Sequence, residues 1–398
     1  MTCAKCGNAL QASDRFCGQC GTAVTVAIPP SPAPTAPRRG LVLALSGVGV
    51  AGGVGFLTYV RTTPVPFWVP PTPTPVPPTP TPGPKRLVVD ASGSGDYRTI
   101  ASAILGARPQ DTIVLGPGTY KESLRIDRDV RIVGEGGRSR VIVEGAPAAH
   151  VFAFTAGSAT MTGLTIRIVG TGPASQGWGA ISVTGGTPVI EDCDLFSGAG
   201  PAVYIHGAGA NPVIRNCTIR NGSGSGVFVN DQGQGKIERC VISGNTLGGV
   251  QISTGGNPVV RDCEIRDGKQ SGVFVWEQGK GTIERCVISG NADSGVEISD
   301  GGNPLVRDCT IRNNRRSGVS VYDQGQGTIE QCEIRGNLSG VEVRTRGSPV
   351  VQACEIRGNL LYGVLVSEQG RGTFTDNLLD NRYIDAAGVT WRGNRLNG

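Results

Sequence analysis

Asn211-Pro-Val-Ile-Arg-Asn-Cys-Thr-Ile-Arg220 is followed by Lys236-Ile-Glu-Arg-Cys-Val-Ile-Ser243 and then by Asn257-Pro-Val-Val-Arg-Asp-Cys-Glu-Ile-Arg266. The same text keeps returning, and its cysteines mark the period. They stand at 193, 217, 240, 263, 286, 309, 332 and 354, at intervals of 22–24 residues, with a 46-residue double unit laid over the single one. A period this short and regular predicts a stacked solenoid. Each unit holds three short pieces rich in β-branched residues: Pro-Val-Ile before the cysteine, Thr-Ile-Arg just after it, and Gly-Val-Phe-Val beyond a glycine/serine-rich turn. None is long enough for a helix. Three strands in a turn of about 23 residues predict an all-β parallel β-helix whose coils stack at about 4.8 Å. The spacing excludes a hexapeptide coil, and valine and isoleucine at the core positions exclude a leucine-rich repeat.

The cysteine slot is read as an inward-facing bend that stacks on itself from coil to coil. Asn377 takes the slot after Cys354, and Leu164 takes it before Cys193. A position that accepts cysteine, asparagine or leucine is structural. In-register side chains are poorly aimed for a disulfide, so free buried thiols are expected, with disulfides as the alternative. Two residues before each cysteine the charge alternates through Glu191, Arg215, Glu238, Arg261, Glu284, Arg307 and Glu330. Stacked in register, these attract at every step by about 0.2–1 kcal/mol per pair. The stripe is therefore read as a solvated ladder that pins the register.

Alternation within the third strand sends every second residue outward. The outward pairs are Tyr204/His206, Phe228/Asn230, Gln251/Ser253, Phe274/Trp276, Glu297/Ser299, Ser320/Tyr322, Glu342/Arg344 and Leu365/Ser367. Tyr204, Phe228, Phe274, Trp276 and Tyr322 are a large share of this region's few aromatics. With Gln251, Glu297, Glu342 and Arg344 as hydrogen-bonding neighbours, they form a candidate ligand face for sugar rings. The alternative is that the rings stack between coils and shield the sheet.

Ahead of the repeats, residues 1–24 space Cys3, Cys6, Cys17 and Cys20 as two C-x2-C knuckles, each followed by glycine. Four thiolates at this spacing place a tetrahedral Zn²⁺. The metal supplies the folding free energy that so short a stretch lacks. With all four positions filled by cysteine, such a zinc ribbon is structural. A Pro-rich spacer, residues 25–39, ends in Arg38 and Arg39. Residues 40–60 carry no charge, and 21 residues at about 1.5 Å each cross the apolar core of a bilayer. This predicts a single transmembrane helix with the lipid bilayer as its partner. The flanking arginines put the N-terminus in the cytoplasm and the remainder outside the membrane. Residues 61–85 form a Pro/Thr-rich stalk, which favours extended polyproline II. The β-helix occupies residues 86–398.

Of the 398 residues, 62 are glycine and 26 proline, and only 17% are charged. So much glycine argues against a helical bundle or a conventional α/β core. The net charge is +5, but residues 1–84 hold four of those charges. The repeat region is therefore close to neutral, which excludes nucleic acid as a partner.

The 23-residue unit resembles the right-handed parallel β-helix repeats of the pectin-lyase-like superfamily over about 300 residues, roughly Arg86 to Gly398. The stretches Val89-Asp-Ala-Ser-Gly-Ser-Gly-Asp-Tyr-Arg-Thr-Ile100 and Asp111-Thr-Ile-Val-Leu-Gly-Pro-Gly-Thr-Tyr-Lys-Glu122 are similar to the opening of its pectin-esterase-like members. The resemblance implies a short helix over Thr99–Ala107 that plugs the open end of the solenoid, with Ile100, Ala103 and Ile104 facing the first coil. It implies little about function, because the superfamily holds lyases, hydrolases, esterases, epimerases and non-catalytic binders. The superfamily's catalytic runs are absent: no Asp-Phe-Ile-Phe-Gly, no Asp-Pro-His-Glu, and no paired Asp-Asp with His-Gly. No catalytic residue is assigned. His206, one of two histidines, reads as a lone surface residue. Glu297 and Glu342 fall two coils apart, about 10 Å by the stacking repeat, slightly wide for a pair of sugar-cleaving carboxylates. The expectation is non-catalytic binding or scaffolding at the cell surface, with a polysaccharide or cell-surface glycan as partner. A polysaccharide-modifying lyase, hydrolase or epimerase is the alternative, and a structural spacer the third reading.

Overall fold

The computed structural model describes residues 83–171, 177–380, 383–384 and 388–396. Each coil contributes three strands to three long parallel sheets of 14, 13 and 12 strands, so the solenoid has about 13 coils. The first sheet takes the strand before each cysteine, such as Val213–Arg215 and Lys236–Glu238. The second takes the strand just after it, such as Thr218–Arg220 and Val241–Ser243. The third takes the Gly-Val-Phe-Val piece, as in Val203–His206, Val227–Asn230 and Val273–Val275. Pairing runs in register, with Ile214 opposite Ile237 and Val227 opposite Val250. Each inward column is therefore a stack of like side chains, and Ile214, Ile219, Val227 and Val229 are all fully buried. The zinc-ribbon cysteines, the predicted span over 40–60 and most of the stalk lie outside the described residues. Among the described residues no helix is long and apolar enough to cross a membrane.

The plug implied by the resemblance is present as the helix Ile100–Gly106, which buries Ile100, Ala103 and Ile104. Thr99 caps it by accepting a hydrogen bond from the Ser102 amide. The Glu122 carboxylate accepts two more from the Ile100 and Ala101 amides at 2.8 and 2.9 Å. Those amides have no partner within the helix.

All eight repeat cysteines are free and buried. Each thiol has backbone carbonyls to donate to, as in Cys217 to Arg215 at 3.3 Å and Cys263 to Arg261 at 3.2 Å. The hydrogen-bonded thiol of the preceding coil, together with burial, pushes Cys240 and Cys263 up to about 12. Leu164 and Asn377 are buried in the same slot, and Asn377 Oδ1 accepts from the Cys354 amide at 2.9 Å.

A second interior ladder was not read from the sequence. Asn291, Asn314, Asn337 and Asn359 stack at the turn between the second and third sheets. The side-chain amides of the first three each donate to the next Oδ1 at 3.0–3.2 Å. The signal, an asparagine every 22 or 23 residues, was visible, but asparagine in a glycine-rich turn is also ordinary turn chemistry. Next to this ladder the chain needs glycine: a Cβ on Gly295 would stand 2.4 Å from Ile311 Cγ2 and 2.7 Å from the Gly318 carbonyl.

The alternating charges pair, and the stripe is solvated along its arginines and at Glu191 but not at Glu238 and Glu284. Each arginine reaches back to the preceding glutamate: Arg215 to Glu191 at 2.9 Å, Arg261 to Glu238 at 2.7 Å, and Arg307 to Glu284 at 2.5 Å. Glu238 and Glu284 are only 5% and 6% exposed. Their carboxylates lie beneath arginine stems because Arg239 and Arg285, next in the chain, close over them as well.

Candidate ligand-binding face

The third sheet presents the outward residues expected from alternation, since Val203, Ile205, Val227 and Val229 all point into the core. Tyr204, Phe228, Phe274 and Trp276 are half-buried. Their rings stack on one another rather than standing apart. Tyr204 and Phe228 lie 5.5 Å apart at 18°, Phe228 and Trp276 5.8 Å at 10°, and Phe274 and Trp276 4.5 Å at 22°. His206 completes the strip against Tyr204 at 4.4 Å. Phe228 and Trp276 belong to coils two apart, so their rings meet by leaning across the coil that carries Gln251 and Ser253. That is why these two, expected to be outward and open, are only 9% and 2% exposed. Gln251 Oε1 accepts a hydrogen bond from the Ser225 hydroxyl.

Towards the C-terminus the face turns polar. Glu297, Ser320 and Glu342 follow one another in register on successive coils. Glu297 accepts hydrogen bonds from Ser271 and from Tyr322, each at 2.5 Å, and Glu342 accepts one from Ser317 at 2.6 Å. The Arg344 guanidinium sits 4.8 Å from the centre of the Tyr322 ring. It makes no ion pair among the described residues, and its Nε is buried without a hydrogen bond. Burial, followed by the bond to Glu297, raises the Tyr322 pKa well above that of an ordinary phenol. Ser320 is 3% exposed and its hydroxyl has no partner among the described residues.

At the other end each histidine packs against an aromatic ring, which sequence spacing did not suggest. His150 Nδ1 accepts from the Gly179 amide at 2.9 Å, and its ring meets Trp178 edge-on at 5.0 Å. Burial lowers the pKa of both histidines, and His206 adds charge repulsion at His150. His206 is therefore a half-buried member of the ring strip and not a lone surface residue. Among the described residues no cluster of three or more metal-ligating side chains exists.

Residues 149–279 and 260–397 match the family model described as the right-handed beta helix region. No curated protein matches the sequence. Similar solved structures include the A-module of a mannuronan C-5 epimerase of Azotobacter vinelandii, at 18% identity and a TM-score of 0.62 over 75% of this chain and 93% of that one. A second such A-module from the same organism has 16% identity and a TM-score of 0.55, covering 75% of this chain and 91% of that one. A periplasmic alginate epimerase has 12% identity and a TM-score of 0.57, covering 72% and 77%. At these identities the likeness is one of fold.

Proposed function

The chain belongs to the right-handed β-helix family, and on that premise we propose that its third sheet is a non-catalytic glycan-binding face. One observation carries the reading: a half-exposed aromatic strip and polar groups without partners share one sheet. The Arg344 guanidinium makes no ion pair there and its Nε and Asn230 Oδ1 are buried without a hydrogen bond, whereas on the first sheet Arg215 and Arg261, whose Nε atoms are likewise unbonded, are held in ion pairs. Each unmade hydrogen bond is capacity left for a ligand's hydroxyls. The epimerases that share the fold act on a polysaccharide, which agrees with this ligand class.

Binding suits the polar end better than turnover does. A catalytic tyrosine base must lose its proton near neutral pH. Burial and the neighbouring Glu297 both oppose that loss at Tyr322. Glu297 and Glu342 are each engaged by serine hydroxyls and stand two coils apart. The stacked rings offer their edges and the strip's outer flank, so sugar C–H groups would lie along the strip and not between the rings.

The same reading keeps the chain anchored. One Zn²⁺ held by Cys3, Cys6, Cys17 and Cys20 orders residues 1–24 on the cytoplasmic side. Residues 40–60 cross the membrane, and the stalk carries the β-helix outside. Metal analysis should find about one zinc per chain, lost with Cys17→Ala. An impermeant thiol reagent should label a cysteine placed in the stalk of intact cells; labelling of the ribbon instead reverses the orientation. For the face, the full chain should be retained on immobilised glycans without releasing reducing ends or unsaturated sugars. Products from any polymer would make it an enzyme, and no retention on any polymer would end the glycan reading.

A further inference from the structure

The sign of the charge on and beside this face is opposite to what an acidic polysaccharide needs. After each third-sheet strand from Val227–Asn230 to Tyr362–Val366 the chain turns a corner in the left-handed region, with φ of 50° at Asp231, 46° at Glu277, 45° at Asp300, 46° at Asp323 and 50° at Glu368, and with Thr254 and Thr345 at the two corners between. One corner follows another from coil to coil, as the hydrogen bonds from the Gln232 amide to the Thr254 carbonyl and from Gln278 to Asp300 record. These five acids therefore form a ridge along the edge of the face. Asp323 is half-buried and the other four are exposed. None of the five makes an ion pair among the described residues. Glu297 and Glu342 on the sheet make none either. Against these seven carboxylates the same surface sets two arginines, Arg344 and Arg346, both at its C-terminal end.

The ridge is also grooved. Thr254 interrupts it, and beside Gly255 a shallow groove of about 730 Å³ opens between Gln232, Glu277, Gln278 and Asp300. Glu277 and Asp300 bond only to Thr254 at 3.0 Å and Ser299 at 3.1 Å. On the sheet itself, Ser320 is more than nine-tenths buried and has no partner. Val319 and Val321 on either side point into the core, so the Ser320 hydroxyl points into the space between Glu297 and Glu342.

Resting on the reading of this sheet as a glycan face, we infer that its ligand is a cationic amino-polysaccharide, a 1,4-linked hexosamine chain with free amino groups, lying along the acid ridge. Stacked carboxylates without counter-charges repel one another, and a row of ammonium groups relieves that repulsion. The spacing selects the polymer. Asp231, Glu277, Asp323 and Glu368 recur at every second coil, about 9.6 Å apart by the stacking repeat, which suits an extended 1,4-linked chain because its successive residues turn over and put amino groups on one side only at every second residue. An extended basic peptide presents same-side groups only every second residue, about 6.7 Å apart, and falls out of step within a few coils. A uronate polymer would bring carboxylates against carboxylates.

The test uses the full chain in detergent, with cross-linked chitosan, chitin, cellulose and polygalacturonate as solid ligands. At low salt, in mildly acidic buffer, chitosan should retain the chain roughly tenfold better than chitin, the product of three exposed ion pairs at ordinary surface strength. The preference should close at high salt, where such pairs are screened. It should also close in the triple variant Glu277→Gln/Asp300→Asn/Asp323→Asn, whose unfolding midpoint should not fall. Equal retention on chitosan and chitin, a preference that survives in the triple variant, or stronger retention on polygalacturonate overturns the inference. In each of those cases the glycan face stands if Phe274→Ala/Trp276→Ala still abolishes retention. Retention on none of the four polymers removes the face and the inference together.

Discussion

The first and third sheets are built from the same repeat and treat their charges in opposite ways. On the first, Glu191, Glu238 and Glu284 each lie against an arginine of the next coil, and a corner arginine, Arg285, adds a bond to Asp262 at 2.8 Å. On the third, Glu297 and Glu342 accept only from hydroxyls, and the ridge beside them makes no ion pair among the described residues. One sheet spends its ionisable groups on holding coil to coil. The other leaves them open to solvent, and groups that do not serve the fold are free to serve a ligand.

The largest effect that tests this contrast is on the first sheet. Arg261→Ala leaves the nearly buried Glu238 carboxylate with only Arg239 at 4.0 Å. We expect a loss of about 1–2 kcal/mol, read as a lower denaturant midpoint at unchanged slope. Asp300→Asn on the ridge should move the midpoint by less than about 0.5 kcal/mol in either direction. Equal losses at both sites would erase the distinction.

Trp276→Ala comes next. Because this ring stacks on both Phe228 and Phe274 and covers Gln251, its removal should cost about 1 kcal/mol in addition to any loss of ligand retention. An unchanged midpoint would mean that the strip exists for ligand alone.

A smaller effect is the acid limb of the stability profile. Hydrogen bonds from Arg215, Arg285 and Arg307 hold Glu191, Asp262 and Glu284 respectively below the ordinary values of 4.5 for glutamate and 3.8 for aspartate. A carboxylate whose folded pKa is depressed contributes stability above its unfolded pKa and loses it as pH falls through the folded value. Thermal midpoints should therefore decline below about pH 4.5. Removing Arg215 and Arg307 should flatten that decline, and the triple ridge variant should leave it in place.

The smallest expected effect is none. The eight repeat cysteines should resist alkylation in the native protein, because burial keeps the reagent from them, and should all react once the chain unfolds. Labelling of any of them under native conditions would show that the coil at that position opens.

The period of the cysteines, the three strands per coil, the plug over Thr99–Ala107 and the inward face of every strand were legible in the residues alone. They follow from local geometry: a period-2 strand and a fixed coil length place each side chain in or out before any neighbour is considered. Which outward residues meet was not legible in this way. The ring strip depends on how far the Trp276 side chain leans across an intervening coil, and the burial of Glu238 on two arginine stems closing from different directions. His150 meets Trp178 through a turn ahead of the sheet, and the partnerless Ser320 and the unpaired ridge are defined by what all the neighbours fail to supply. A repeating sequence determines the stack because each coil sees only the next. The tertiary structure decides the surface because long side chains reach past the next coil and compete there for the same partners.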